Sequence, residues 1–327
     1  MAMNAKGRPM NTQCPHMNTS KMRAERAFPH PFLTPVRTPL TMHRRPGMPG
    51  ARSAGAGRNG WIGRRAVRIL MLVDMEGISG VVVRGHVTKG DRLYPAGRKF
   101  MTWDVNACVE GCFAGGADAV VVRDGHGGWG ENVIWDQLDP RAEYFLGEGP
   151  KCSIFETDEY DATILLGTHS MAGTPEGILE HTMSSARWQN LWLNGRKTGE
   201  IGTTAFQAGE RGIPLIMVSG DDKACAEAQE FVPGIYTACV KYGLACEGGR
   251  LLSAQKAHEL ITRTATEAVQ NIGRVQPVKL DPPVTARLEL VSRGRLPVRG
   301  EKPYVEIVDG RTYEVTGDSV REAMQRL

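Results

Sequence analysis

Three short motifs in this chain carry side chains that bind divalent cations: Asp74-Met75-Glu76-Gly77, Asp124-Gly125-His126 and Gly167-Thr168-His169. Asp74 and Glu76 are two residues apart, so on extended backbone their carboxylates point to the same side. Two like charges aimed at one place repel and resist desolvation unless a cation or a shared proton compensates. Each motif alone has an ordinary reading. An isolated D-x-E usually closes a solvated turn, and a lone histidine is more often a satisfied loop or core residue than a ligand. The joint pattern changes the odds, because each motif directly follows an apolar run, at residues 69–73, 119–122 and 163–166. Glu200, in Thr198-Gly-Glu-Ile-Gly202, adds a third carboxylate, although an acid at a helix start is also favoured by the helix dipole. His181, in Glu180-His-Thr-Met-Ser184, reads in isolation as a buried histidine.

Counting donors sets the nuclearity. Two imidazoles and three carboxylates (Asp74, Glu76, His126, His169, Glu200) exceed what one four-coordinate zinc with an open position uses. A carboxylate can bridge two ions, and Asp74 is the natural candidate, giving a hydrolytic two-metal centre with ions ~3.5 to 4 Å apart. Nitrogen and oxygen donors without thiolate suit Zn²⁺, with Mn²⁺ or Co²⁺ admissible.

Such a constellation needs elements that gather it. Short apolar runs at 67–73, 117–122, 162–166, 214–218 and 235–240 read as strands, and 98–114, 201–211, 221–230 and 253–272 read as helices. This alternation predicts an α/β fold with a mostly parallel central sheet flanked by helices. Open sheets of that kind bind ligands outside the carboxyl ends of their strands, where the three motifs fall. Residues 191–199 read as a hairpin turning on Asn194-Gly195. Further strands are expected between Thr285 and Val315, in a smaller β-containing subregion closed by a helix from Asp318.

The net charge of +4 conceals an asymmetry. Residues 1–68 hold two lysines and eleven arginines against one glutamate, +12, which leaves −8 for the rest. An acidic body argues against nucleic-acid binding, which needs clustered Lys and Arg. No apolar stretch approaches the ~18 residues of a membrane span. Seven scattered cysteines without a C-x-x-C pair fit a reducing, cytoplasmic setting, with Cys108 and Cys112 as small buried apolar residues of one helix. Residues 1–66 hold eight of the nineteen prolines and half the methionines without periodicity, so they are expected to be a disordered basic extension. Prolines 29, 31, 35 and 39 would break the amphipathic helix of a transit peptide, so translation from an upstream start is preferred over a targeting peptide or a functional arm.

From residue 67 or 68 to 327 the chain resembles the DppA-type D-aminopeptidase family, peptidase family M55. The resemblance rests on Val73-Asp-Met-Glu-Gly-Ile-Ser-Gly80, Asp124-Gly-His126, Gly167-Thr-His169, His181-Thr-Met-Ser184, Gly195 to Gly202 with Glu200, and Gly220-Asp-Asp222, in order and spacing. It implies two zinc ions on Asp74, Glu76, His126, His169 and Glu200, with His181 as a catalytic residue. It also implies a decameric homo-oligomeric ring that encloses its active sites and cleaves short peptides carrying D-amino acids at the amino end. Two features depart from the family pattern: the basic extension, and Gly125 where Ser is common.

The expected function is therefore that of a zinc-dependent aminopeptidase, the ions acidifying a water and polarising the scissile carbonyl. An imidazole such as His181 suits proton transfer near neutral pH, whether as base, acid or nucleophile. The substrate's amino end calls for an acidic group that the sequence does not single out. Three rivals stand beside this reading. Gly125-His-Gly-Gly-Trp-Gly130 matches the dinucleotide fingerprint G-x-G-x-x-G formally, but bulky His126 and Trp129 fill its variable places and it follows the second strand, not the first. A metal-binding assembly protein would keep the ligands and dispense with His181. An amidohydrolase of L-peptides or of non-peptide amides or esters would keep the metals and change the bond.

Overall fold

The computed structural model describes residues 65–128, 130–147 and 159–327. The expected disordered extension, residues 1–66, lies almost wholly outside them, as does Trp129 of the glycine-rich loop. The described residues belong to one compact unit.

Strand β1 (Arg68–Val73) has the sequence RILMLV, with Ile69, Leu70, Met71 and Val73 buried. An apolar run buried on both faces is what the interior of a parallel sheet requires. It pairs in parallel with β2 (Ala119–Asp124) on one side and with β4 (Ala162–Leu166) on the other. The full sheet adds β3 (Glu143–Phe145), β7 (Leu215–Asp221), β8 (Tyr236–Ala245) and β9 (Gly248–Leu251), in the order β3-β2-β1-β4-β7-β8-β9. Only β9 runs antiparallel to its neighbour. The chain leaves β1 for β2 on one flank and then crosses to β4 on the other. That reversal opens a crevice at the carboxyl end of β1, where α/β sheets bind their ligands.

Helices cover the sheet. α1 (Tyr94–Ala114) begins four residues earlier than its periodicity predicts. Pro95 sits in its first turn, where a missing N–H leaves no bond unmade, so it starts the helix instead of blocking it. Cys108 and Cys112 are buried on its inner face, as expected. α2 (Glu200–Glu210), α3 (Asp222–Phe231) and α4 (Ala254–Gln270) match the expected helices within two residues, and α4 packs against α1.

The smaller β region is a separate antiparallel sheet, ordered β11-β12-β10-β5-β6. The expected hairpin is there: β5 (Trp188–Leu193) and β6 (Arg196–Thr198) turn on Asn194 and Gly195, at φ 47° and 78°. Two successive left-handed residues make the tight turn whose twist suits a hairpin, and Asn-Gly adopts it at least cost. β10 (Val284–Leu290), β11 (Val305–Ile307) and β12 (Thr312–Gly317) complete this sheet. The closing helix α5 (Val320–Arg326) follows, capped by Ser319. The hairpin delivers Glu200 to the first turn of α2, beside the crevice of the main sheet.

Candidate metal centre

The three parallel neighbours β2, β1 and β4 end in His126, Asp74 with Glu76, and His169. Asp74 is fixed where β1 leaves the sheet: its amide donates to Leu166 O of β4 at 2.9 Å. The chain then folds over the end of β4, with the Gly77 amide donating to Gly167 O at 2.7 Å. A Cβ on Gly77 would lie 2.0 Å from Thr168 O, so no other residue lets the loop approach β4 this closely.

The donor atoms meet. His126 Nδ1 lies 3.0 Å from Asp74 Oδ1 and 3.1 Å from Glu76 Oε2. His169 Nε2 lies 3.4 Å from Asp74 Oδ2 and 3.3 Å from Glu200 Oε1. His181 Nε2 stands 3.9 Å from that same Glu200 oxygen. The rings of His169 and His181 stack at 3.9 Å between centroids, 15° from parallel. Two triads, Asp74 with Glu76 and His169, and His169 with His181 and Glu200, hold donor atoms within 4.8 Å of one another. His169 and Asp74 are the hinge between the two halves. All five expected ligands thus converge, and His181 joins them.

The other nitrogen of each ring explains how the rings are held. His126 Nε2 is 2.9 Å from Val87 O, His169 Nδ1 is 3.0 Å from Ser170 O, and His181 Nδ1 is 2.9 Å from Leu179 O. A carbonyl only accepts, so each of these nitrogens carries the hydrogen and donates it. The second nitrogen of each neutral ring is then a lone pair facing carboxylate oxygens. Such an arrangement is repulsive unless a proton or a metal ion lies between, and tethering the distal N–H to a carbonyl is the usual way of orienting a metal-binding histidine. Glu76 Oε2 and His169 Nε2 are buried and lack an aligned hydrogen-bond partner, although both have close neighbours of complementary type. Buried polar atoms left in this state call for an ion or water. The residues therefore fit divalent cation binding.

Without ions, protons must do the work of cations. Burial opposes the charge on His126, but the Glu76 and Asp74 carboxylates outweigh it and push its pKa up to about 12. His169 is likewise driven well above an ordinary histidine, against burial, by Glu200, Asp74 and Glu76. Reciprocally, burial works against ionising Asp74, yet His126 and His169 hold its carboxyl well below the usual carboxylate range. Glu200 is lowered the same way, with His169 overcoming burial.

Several buried groups support the cluster without joining it. Asp124 opens one of the three expected motifs but does not face the cluster. It is buried, accepts from Asn132 N at 2.6 Å and Asn132 Nδ2 at 2.8 Å, and Asn132 also donates to His126 O at 2.9 Å. Asp221 accepts from Ile178 N and Ala224 N, both at 2.8 Å, tying the segment before His181 to the amino end of α3. Glu227, buried on α3, accepts from Met171 N at 2.7 Å just after His169, with its other oxygen beside Gly199. The loop carrying His181 is unusual in its backbone: Glu176, Leu179 and Met183 are non-glycine residues at φ 60°, 55° and 54°. Left-handed residues of this kind persist only where surroundings hold them. Here Leu179 N donates to Cys246 O at 2.8 Å and Met183 N to Glu200 Oε1 at 2.6 Å. Gly125, by contrast, needs no special backbone. A Cβ there meets only Val73 O at 3.3 Å, so the loop would admit the serine common in the family with a small adjustment.

Asp74, Glu76, His126, His181 and Glu200 line a cavity of about 480 Å³ that is also bounded by Glu180 and Cys246. An acid-rich, histidine-bearing cleft at the switch point of an α/β sheet defines a metal-dependent hydrolase site. The comparisons agree in detail. The family described as D-aminopeptidase (Peptidase_M55) matches residues 67–327. A D-aminopeptidase of Bacillus subtilis (strain 168) is 34% identical over 248 residues, which cover 75% of this chain and 89% of that protein. The solved structure of the Zn-dependent D-aminopeptidase DppA from Bacillus subtilis, described as a self-compartmentalizing protease, superposes with a TM-score of 0.74 at 32% identity. It covers 79% of this chain and 94% of that one. The chain belongs to the Peptidase_M55 D-aminopeptidase family, and its activity class is that of a metal-dependent aminopeptidase. The loop read formally as a dinucleotide fingerprint instead brings His126 to the carboxylates.

Proposed function

We propose that residues 67–327 form a binuclear zinc aminopeptidase that removes D-amino acids from the amino end of short peptides. In this reading residues 1–66 are an extension outside the catalytic unit. The observation that carries it is the orientation of three imidazoles: each is tied by one nitrogen to a main-chain carbonyl and aims the other at shared carboxylates. Asp74, Glu76, His126, His169 and Glu200 would hold the ions. Asp74 would serve both halves of the ligand set, since its two oxygens face His126 and His169 separately. Bound there, divalent ions supply Lewis acidity that polarises the scissile carbonyl and acidifies water at the site.

His181 completes the chemistry. With its Nδ1 hydrogen donated to Leu179 O, its Nε2 is free to take a proton from the attacking water and pass it to the departing amine. Glu180, which lines the cavity outside the ligand set, is the acidic group proposed to meet the substrate's amino end. By analogy with the relative described as self-compartmentalizing, the chain would assemble as a homo-oligomer, a decameric ring in the family pattern. Among the described residues no helix is long and apolar enough to cross a membrane, and Cys108, Cys112, Cys225, Cys239 and Cys246 are free thiols, which favours a cytoplasmic setting.

A second reading makes His181 a ligand, because its Nε2 belongs with His169 and Glu200 in one donor triad. One experiment separates these. Metal content and cleavage of D- and L-aminoacyl peptides are measured before and after chelation, for wild type and His181→Ala. Two ions per chain, chelator-sensitive cleavage favouring D-peptides, and a variant that keeps both ions while losing ~10² to 10⁴ in kcat would support the acid–base role. A variant that loses one ion makes His181 a ligand, and cleavage that survives chelation rejects the metal mechanism.

A further inference from the structure

Lys241 lies on β8, two strands away from β4, and is fully buried. Among the described residues its ammonium makes no ion pair. The Nζ donates instead to three main-chain carbonyls of one segment: Glu76 O at 2.5 Å, Ile78 O at 2.9 Å and Val81 O at 2.7 Å. An ammonium has three hydrogens, so every donor is spent on the loop that leaves β1. Burying a charge costs several kcal/mol unless it is compensated. The acids nearest in effect, Asp221, Asp104, Glu76 and Asp74, offset part of that cost without touching the ammonium, and burial still lowers its pKa to about 8. A neutral residue could fill this volume more cheaply, so what the charge gives in return must lie in the segment it grips.

That segment carries a candidate metal ligand. Glu76 contributes its carbonyl to Lys241 while its carboxylate faces His126. Downstream, Ser79 is held by Asp104 through its amide at 2.8 Å and its hydroxyl at 2.6 Å. The loop is therefore clamped from two sides, by a cation at its carbonyls and an anion at its amide. We propose that Lys241 is a positioning residue of the metal centre, fixing the segment 76–81 so that the Glu76 carboxylate is presented to the ions before they bind. The inference rests on the two-ion reading of the site.

The test uses the full chain as Lys241→Met and Lys241→Gln, with zinc titrated calorimetrically and metal counted. Wild type should bind two ions. In the variants one of the two should weaken ~10- to 100-fold, the span seen when a supporting group of a metal site is lost. Peptide cleavage should fall in kcat while KM stays within about twofold. A lysine that serves stability alone would lower the melting temperature and leave both zinc affinities of the folded protein unchanged, and that result overturns the proposal. Should neither variant fold, hydrogen exchange on metal-free wild type decides. The amides of residues 77–81 should be protected before any zinc is added, and protection appearing only with zinc would overturn pre-positioning. Fewer than two ions on wild type would sink the two-ion reading itself, whereas equal zinc affinities in wild type and variant would sink only the role of Lys241.

Discussion

Glu227 offers a quantitative handle on how the site is supported. Its carboxyl is buried on α3, receives one hydrogen bond from the Met171 amide, and leaves its second oxygen without a partner. Burial raises its pKa from 4.5 to about 7, with the Met171 amide and His169 pulling it down without cancelling the rise. A carboxyl that is harder to ionise in the folded state makes the unfolded state release its proton first. The folded protein is thus favoured below pH 4.5 and loses that advantage as pH rises toward 7. The loss is about 3 kcal/mol, from ~1.4 kcal/mol for each unit separating the two pKa values. Glu227→Gln keeps an acceptor for Met171 and cannot ionise. Urea unfolding of the metal-free proteins between pH 4.5 and 8 should show the wild type losing about 3 kcal/mol relative to the variant across that range. Taking the difference matters, because Asp74, His126 and His169 also titrate on unfolding and are common to both proteins. With zinc bound, the added positive charge should favour the ionised carboxylate and shrink the effect. A pH-independent difference between the two metal-free proteins would refute the argument, showing that Glu227 is already ionised in the folded state.

Three further outcomes follow from the geometry. Since His126 and His169 are held protonated at neutral pH by their carboxylates, filling the site at pH 7 should release close to two protons per chain, measurable by calorimetry in buffers of different ionisation enthalpy. Release near zero would mean that the rings are neutral in the empty site. Gly77→Ala would drive a methyl into Thr168 O, so it should cost ~2 kcal/mol or more and reduce zinc binding, read by melting temperature and metal content. A variant with wild-type stability and metal content would show that the loop does not need its close approach to β4. Glu180→Gln should raise KM for peptides with a free amino end, with kcat within about twofold. An unchanged KM would remove Glu180 from substrate binding.

The parts of the molecule that could be read from sequence share a physical trait. Ala162–Leu166 is a five-residue run buried throughout, and its limits match the expected strand. The convergence of Asp74, His126 and His169 was legible because a polar, metal-competent residue soon after an apolar strand breaks the pattern at the place where α/β sheets bind. The hairpin announced itself through Asn194-Gly195. Edge strands β3 and β9 did not, being three and four residues long with little buried apolar surface to create a pattern. Lys241 and Glu227 were also hidden, for a different reason. Just past the expected strand 235–240 and on a helix otherwise rich in polar residues, a lysine and a glutamate look like solvated surface, and only the fold shows that both are buried, Lys241 in the middle of β8, next to the segments that carry the candidate ligands.

Glu200 Oε1 has two tasks at once: it faces His169, and it accepts the Met183 amide that closes the left-handed turn beyond His181. In the proposed reading, one oxygen atom therefore joins the chelating side of the cleft to the proton-transferring side. Any event that swings this carboxylate must also slacken the turn that presents the His181 ring, and by reciprocity whatever stiffens the turn tightens the grip on the cation. On that same reading, a Glu200 carboxylate freed from its cation would also leave the His181 imidazole to drift from its station.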